Sequence, residues 1–175
     1  MSALATTILS LLHLLAYSVL LGSELYQSFL MTKICFQALP RPAFRSLQKR
    51  IFPVYFQGQF ALLLLTGATA PPFGVVSLVA SKTAWMSLAA ASVCAGLNMV
   101  VYEPKTRRAM IEETKQARIL ISSDSPDNTG SDEMRAMMRR FSRPHAMCIH
   151  LNLVSIAGTL AYGWTLAGKF RFDVD

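Results

Sequence analysis

LATTILSLLHLLAYSVLLGSELYQSFL, residues 4–30, decides how the rest of the chain is read. No Asp, Glu, Lys or Arg occurs between Met1 and Ser23. A helix needs about 20 apolar residues to cross the ~30 Å hydrocarbon core of a bilayer, and this stretch is long enough. One face is nonetheless polar. Ser10, His13, Tyr17, Glu24 and Ser28 follow one another at spacings of three, four and seven, which sets them along one helical stripe. A carboxylate in contact with lipid is costly, so Glu24 is expected to face protein or water. The stripe therefore predicts a transmembrane helix that has helical partners.

Working outward, three more stretches carry the same signature. Ile51–Ser81 and Thr83–Tyr102 are uncharged, and Pro144–Gly168 holds only His145 and His150 as ionisable breaks. Charged residues are 15% of the chain, against about 25% in an ordinary soluble domain. The expected fold is all-α: one integral membrane bundle, residues 1–175, of four transmembrane helices near 4–30, 53–70, 83–102 and 145–167, with cytosolic helical extensions.

Charge placement supports that count. The net charge is +7. Of the 17 basic residues, 14 fall between the first and second spans or between the third and fourth. With four spans those two loops share one side of the membrane, and the Lys/Arg excess marks it as cytosolic. The termini are then expected on the lumenal or extracellular side of an endomembrane or the plasma membrane. The basic surplus is accordingly assigned to anionic lipid headgroups rather than to nucleic acid. A homo-oligomer in the bilayer is compatible with this reading. Cys35, Cys94 and Cys148 have no paired spacing and predict no disulfide framework. The N-terminus lacks a basic n-region and a small-residue cleavage site, so the first helix is expected to be retained.

Punctuation residues mark the expected boundaries. The first helix should run to about Ala38 and break at Leu39-Pro40. Ala43–Arg50 reads as a short interfacial helix, and the second span as starting at Pro53, where a missing N–H does no harm. Pro71-Pro72 should stop it. Residues 73–80 suit a hydrophobic loop, a partial helix or an early start of the third span. Ala89, Ala90, Ala91, Ser92, Ala95 and Gly96 predict close packing of the third span. Pro104 should open a cytosolic helix to Leu120, followed by a flexible loop at 122–131. Asp132–Ser142 then reads as a Met/Arg-rich surface helix. Along the fourth span, His145, Cys148, Asn152, Ser155, Thr159 and Tyr162 form a second polar stripe.

At ~1.5 Å of rise per residue, the polar residues of all four spans fall at similar depth in the cytosolic third. Glu24, Gln57, Asn98 and Asn152 are the candidate ligand or ion site; Gln59, Cys148 and His150 lie at the same level. Interhelical hydrogen bonding is the structural reading of the same layer, at ~1 kcal/mol or less per bond. His13 lies deeper and suits either a hydrogen-bonding strut or a metal ligand. There is no GxGxxG, Walker, HExxH, CxxC or GxSxG motif.

Several short pieces occur together along the chain: His13-Leu14-Leu15-Ala16 with Gly22 and Phe29; Leu39-Pro40-Arg41 with Phe44; Phe52-Pro53 with Tyr55-Phe56; Asn98, Glu103-Pro104 and Thr106; and His145 with Asn152. In this order they resemble the transmembrane protein 205 family, small membrane proteins built on a domain of unknown function. The resemblance implies a four-span bundle and, through one member's association with platinum-drug tolerance and vesicle traffic, export or trafficking. More remotely it resembles bundles that handle copper or heme, in which a first-helix histidine at the position of His13 can be a ligand. Glu24 stands where the family more often has a neutral polar residue, and Gln57 where a histidine can occur.

The expected function is non-enzymatic support of small-solute or ion transport, tolerance or membrane trafficking, with no cofactor. The alternatives are a heme- or metal-dependent redox protein using His13, with His145 as a further ligand, and a scaffold that recruits partners through its basic loops.

Overall fold

The computed structural model describes the backbone of residues 3–122 and 129–169, and the side chains of residues 4–112, 115, 139 and 141–169. Four helices are long and apolar enough to cross a membrane: Leu4–Ala38, Arg41–Ala68, Lys82–Glu112 and Phe141–Ala167. The chain is an all-α, four-span membrane bundle.

The first span joins helix α1 (Ala3–Leu25), a π-turn at Tyr26–Met31 and α2 (Thr32–Ala38). Within the π-turn region the Thr32 N–H reaches back five residues to the Gln27 carbonyl, and the Thr32 hydroxyl bonds the same oxygen at 2.8 Å. Leu39 is extended, as a residue before proline should be, and the helix stops at Ala38 as expected.

The second span differs from the expectation. Helix α3 runs unbroken over Arg41–Ala68 with Pro53 inside it, so there is no separate interfacial helix at Ala43–Arg50. Its start is set by Pro40, in extended conformation, and by Pro42 in the first turn. Pro53 removes one ladder bond, which a helix flanked by neighbours tolerates. A turn follows in which Gly74 takes φ 68°; a Cβ there would lie 2.8 Å from the Ala68 carbonyl oxygen. The short helix α4 (Val75–Val79) resolves the ambiguous stretch as a partial helix.

The third span is α5 (Lys82–Leu97), a π-turn at Asn98–Tyr102, and α6 (Glu103–Ser122), all continuous. Pro104 therefore does not open a new helix. The ladder widens just ahead of it, with the Glu103 N–H bonded to the Asn98 carbonyl, and this wider turn accommodates a ring that lacks an N–H. Helix α7 (Thr129–Ala167) likewise contains Pro144 and unites the expected surface helix with the fourth span. Residues 123–128 of the expected loop lie outside the described residues, while 129–131 belong to the first turn of α7. The side chains of the Met/Arg segment at 134–138 also lie outside them.

The bundle is polar inside and apolar outside. Leu11, Leu15, Val19, Trp85, Met86, Val93, Ile149 and Leu160 are exposed, while His13, Glu24, Gln59, Thr66, Asn98, Ser155 and Thr159 are buried. In water such a shell would be a liability; in lipid it is solvated, and the polar groups satisfy one another. One stripe of α5 (Ala84, Leu88, Ala91, Ala95, Asn98) is buried throughout. It packs with Leu20, Leu63, Tyr162 and Leu166 as the apolar core. The small residues do what their composition predicts: α7 approaches α5 so closely that Gly158 has no room for a Cβ.

Candidate functional site

Glu24 ends the polar stripe of α1 and is completely buried. Its Oε1 accepts a 2.7 Å hydrogen bond from Gln59 Nε2 of α3. The hydroxyls of Ser155 and Thr159, on α7, lie 3.4 and 3.3 Å from the same oxygen. Each hydroxyl has one proton and a second acceptor: the Ala91 carbonyl for Ser155 at 3.2 Å, the Ser155 carbonyl for Thr159 at 3.1 Å. The amide of Gln59 is thus the donor committed to the carboxyl group. Glu24 Oε2 and Gln59 Oε1 are buried with no partner.

The network continues outward. Gln59 Nε2 lies 3.3 Å from Asn152 Oδ1, which accepts a 2.9 Å bond from the Tyr55 hydroxyl. Asn152 Nδ2 donates to Ser28 Oγ at 2.8 Å. Tyr55, Asn152 and Ser28 line a cavity of about 360 Å³ between the four spans, walled also by Phe52, Phe56, Glu103, Thr106, His145 and Cys148. Both π-turns border it: Gln27, Ser28 and Phe29 come from the first, and Glu103 follows the second. Such turns re-aim side chains and are frequent at functional sites. Volume and lining suit a small molecule with an apolar body and a few polar atoms.

A second cavity, of about 560 Å³, lies toward the basic end and shares Ser28, Thr32, Phe52 and His145 with the first. Lys33, Arg41 and Arg45 stand along it, with the buried Gln48. His145 stacks on Phe141 with ring centroids 5.0 Å apart, and its Nδ1 is buried without a partner.

His13 belongs to a different place. Thr69 gives its hydroxyl proton to the Leu65 carbonyl at 2.7 Å, so His13 Nδ1 donates to Thr69 Oγ1 at 3.3 Å. His13 Nε2 then accepts from the Tyr162 hydroxyl at 3.0 Å. Both ring nitrogens are engaged in tying α1 to the outer ends of α3 and α7. Tyr162 and His145 are 17 residues apart on one helix, ~25 Å along the axis, so His13 and His145 do not meet. No group of three His, Cys, Asp or Glu able to hold a metal occurs among the described residues. With both ring nitrogens already bonded, the surroundings of His13 do not fit a heme or metal ligand pair.

Of the four residues expected to form the intramembrane site, Glu24 and Asn152 are joined through Gln59. Asn98 is buried beside them and donates to the Cys148 carbonyl at 3.1 Å. Gln57 is exposed on the outer face of α3, and Gln59 takes the place foreseen for it. Glu103 is nearly buried and lies 3.3 Å from Arg107. Of the other residues that carried the resemblance, Phe29 lines the inner cavity and Arg41 the basic one. Pro40, Pro53 and Pro104 shape helix starts and turns, and Gly22 sits on an open surface. Tyr55 and Thr69 bond across the bundle and Thr66 and Gln48 are buried polar side chains, none of which the sequence singles out as part of the polar layer. A signal existed for Gln59: Phe56, Gln59, Leu63 and Thr66 follow a three-four-three spacing along one face of α3, which Gln57 leaves.

Fold and site together define a multi-pass membrane protein with a polar interior and an internal cavity. Residues 15–115 match the family described as a domain of unknown function, DUF4149, and the chain belongs to that family. It is similar to xanthocillin biosynthesis cluster protein D of Aspergillus fumigatus, 40% identical over 173 residues that cover 97% of each chain. No solved structure matches it.

Proposed function

We propose that this protein holds a small amphipathic molecule in the cavity between its four spans and supports its transport, tolerance or trafficking, without catalysing a reaction. The observation that carries the reading is the cavity itself. It has aromatic walls from α3, and Ser28, Tyr55 and Asn152 converge on it from three helices. The name of the Aspergillus relative places a chain of this family in a biosynthesis cluster, a setting in which small molecules must be handled. The resemblance to the transmembrane protein 205 family, with its association with drug tolerance, points the same way. In this reading the basic end, with Lys33, Arg41 and Arg45, faces the cytosol and its anionic lipid.

The test has two readouts. A dansylated amino acid, as an amphipathic aromatic probe, should bind protein in lipid vesicles saturably, and Asn152→Ala or Tyr55→Ala should weaken that binding. Cells expressing Glu24→Gln or Asn152→Ala should differ from wild type in solute uptake and tolerance. Unchanged uptake and tolerance, with both variants folded, would overturn the reading.

A further inference from the structure

We propose that Glu24 is a proton-binding site at the head of a hydrogen-bond relay that connects it to the cavity. The inference goes beyond the reading above and holds whatever molecule occupies the cavity.

Three observations carry it. First, Glu24 is fully buried inside a membrane bundle, and among the described residues no basic side chain is one of its hydrogen-bond partners. A carboxylate there must be neutralised by a positive charge. Among the described residues the titratable groups facing it are Tyr17 on its own helix and Tyr55 on α3. Neither is a cation. Helix α7 presents only Asn152, Ser155 and Thr159, and α5 only the Ala91 carbonyl.

Second, the donor and acceptor count is one proton short. Gln59 Nε2 donates to Glu24 Oε1, while Glu24 Oε2 and Gln59 Oε1 are both buried acceptors without a donor. A proton on Glu24 Oε2 turns one of those acceptors into a donor, and the other acceptor is carried by Gln59, whose amide already bonds the same carboxyl group. The pair then becomes a carboxylic acid facing an amide, neutral as a whole. A sodium ion would have to draw on the same oxygens of Glu24, Gln59, Ser155 and Thr159, and the exchange of sodium for choline below separates that occupant from a proton.

Third, the relay gives the proton a reason to respond to the cavity. Gln59 Nε2 has two protons and three acceptors within reach, Glu24 Oε1 at 2.7 Å, Ser155 Oγ at 3.2 Å and Asn152 Oδ1 at 3.3 Å, and Asn152 Oδ1 also takes the Tyr55 hydroxyl. A molecule that competes for Tyr55 or Asn152 redistributes the two Gln59 protons among those three acceptors. That shift alters the hydrogen bond which distinguishes the acid from the carboxylate.

Infrared difference spectroscopy of the full chain in lipid vesicles tests this without any cavity ligand. At neutral pH the wild type should show the carbonyl stretch of a protonated carboxylic acid, lost in Glu24→Gln and unchanged when sodium is replaced by choline. Gln59→Leu should keep the band but move it to higher frequency, because the acid loses its amide partner. Tyr55→Phe should move it to a smaller extent. In case Glu24→Gln does not fold, Glu24→Asp should keep the band at a shifted frequency, and Glu103→Gln, at the other nearly buried glutamate, should leave it unchanged. No protonated carboxyl band at neutral pH would overturn the proposal. So would a band that appears only when sodium is withdrawn, which would make the occupant a metal cation. A band blind to Gln59→Leu would remove the relay. None of these outcomes depends on the dansyl probe binding.

Discussion

Gly158 and Ala91 meet where α7 and α5 pack without room for a further side chain: a Cβ built on the glycine would lie 3.1 Å from the Ala91 Cβ and 2.7 Å from the Ser87 carbonyl oxygen. This contact fixes more than packing. Ser155 lies one turn earlier on α7, and its hydroxyl stands between the Ala91 carbonyl and Glu24. The small-residue seam between α5 and α7 thus sets the wall against which the buried carboxyl group rests.

Substituting Gly158 should therefore reach the polar network as well as the seam. Gly158→Val must push α7 away from α5, at a cost of about 1–3 kcal/mol typical of overpacking. Gly22 has nothing within 4 Å of its would-be Cβ, so Gly22→Ala should be neutral or stabilising by at most about 1 kcal/mol. Thermal unfolding of both variants in the same detergent checks the contrast; equal destabilisation would contradict the seam.

The two glutamines of α3 offer a sharper contrast at nearly the same depth. Gln59→Leu leaves Glu24 and Asn152 without their shared donor, which should cost about 1–3 kcal/mol. Gln57 is exposed, and Gln57→Leu on a lipid-facing surface should change stability by no more than about 0.5 kcal/mol. Reversible unfolding of the two variants, measured side by side, decides it. A larger loss at Gln57 would mean that the layer is built the other way round.

Much of the fold was legible in the chain because membrane spans are written in long runs. The uncharged stretch from Thr83 to Tyr102 lies wholly within a spanning helix, and the stretch from Ile51 does so as far as Ala68. The prolines misled. Pro53, Pro104 and Pro144 read as boundaries, yet each lies in a continuous helix, since neighbouring helices and a π-turn compensate for the missing N–H. The site was half legible. Glu24 and Asn152 stood out as polar groups in apolar runs, whereas choosing Gln59 over Gln57 needed the azimuth of α3, which depth alone does not supply. The π-turn after Glu24 left no composition signal, and it is what carries Ser28 and Phe29 to the cavity.

His13 and Tyr162 should act as a strut. The Tyr162 hydroxyl bonds His13 Nε2 at 3.0 Å, and the rings meet edge to face at 5.8 Å. A double-mutant cycle of His13→Ala and Tyr162→Phe should give a coupling energy of ~0.5–2 kcal/mol, the range for interhelical hydrogen bonds in membrane bundles. Additive effects would show that the two groups do not share a bond. The same variants should leave the dansyl probe bound as in wild type, because neither residue lines the cavity.

Orientation can be read independently of any ligand. The break between Ala38 and Arg41 lies at one end of the bundle with the C-terminal part of α6 and the N-terminal part of α7, and the turn at Pro71–Gly74 lies at the other with the start of α1. Lys and Arg crowd the first end, while among the described residues Lys82 and Lys169 are the basic ones at the other. The charge bias of short loops directs such an end to the cytosol. An Asn-x-Thr acceptor on a spacer appended after Asp175 should be glycosylated when the chain is made in eukaryotic membranes. The same acceptor inserted at residues 123–128 should not be. Replacing Lys33, Arg41, Arg45, Lys49 and Arg50 with neutral residues should weaken the bias and yield a mixed population. Glycosylation of the 123–128 insertion in the otherwise unaltered chain would reverse the assignment and put the basic cavity on the lumenal side.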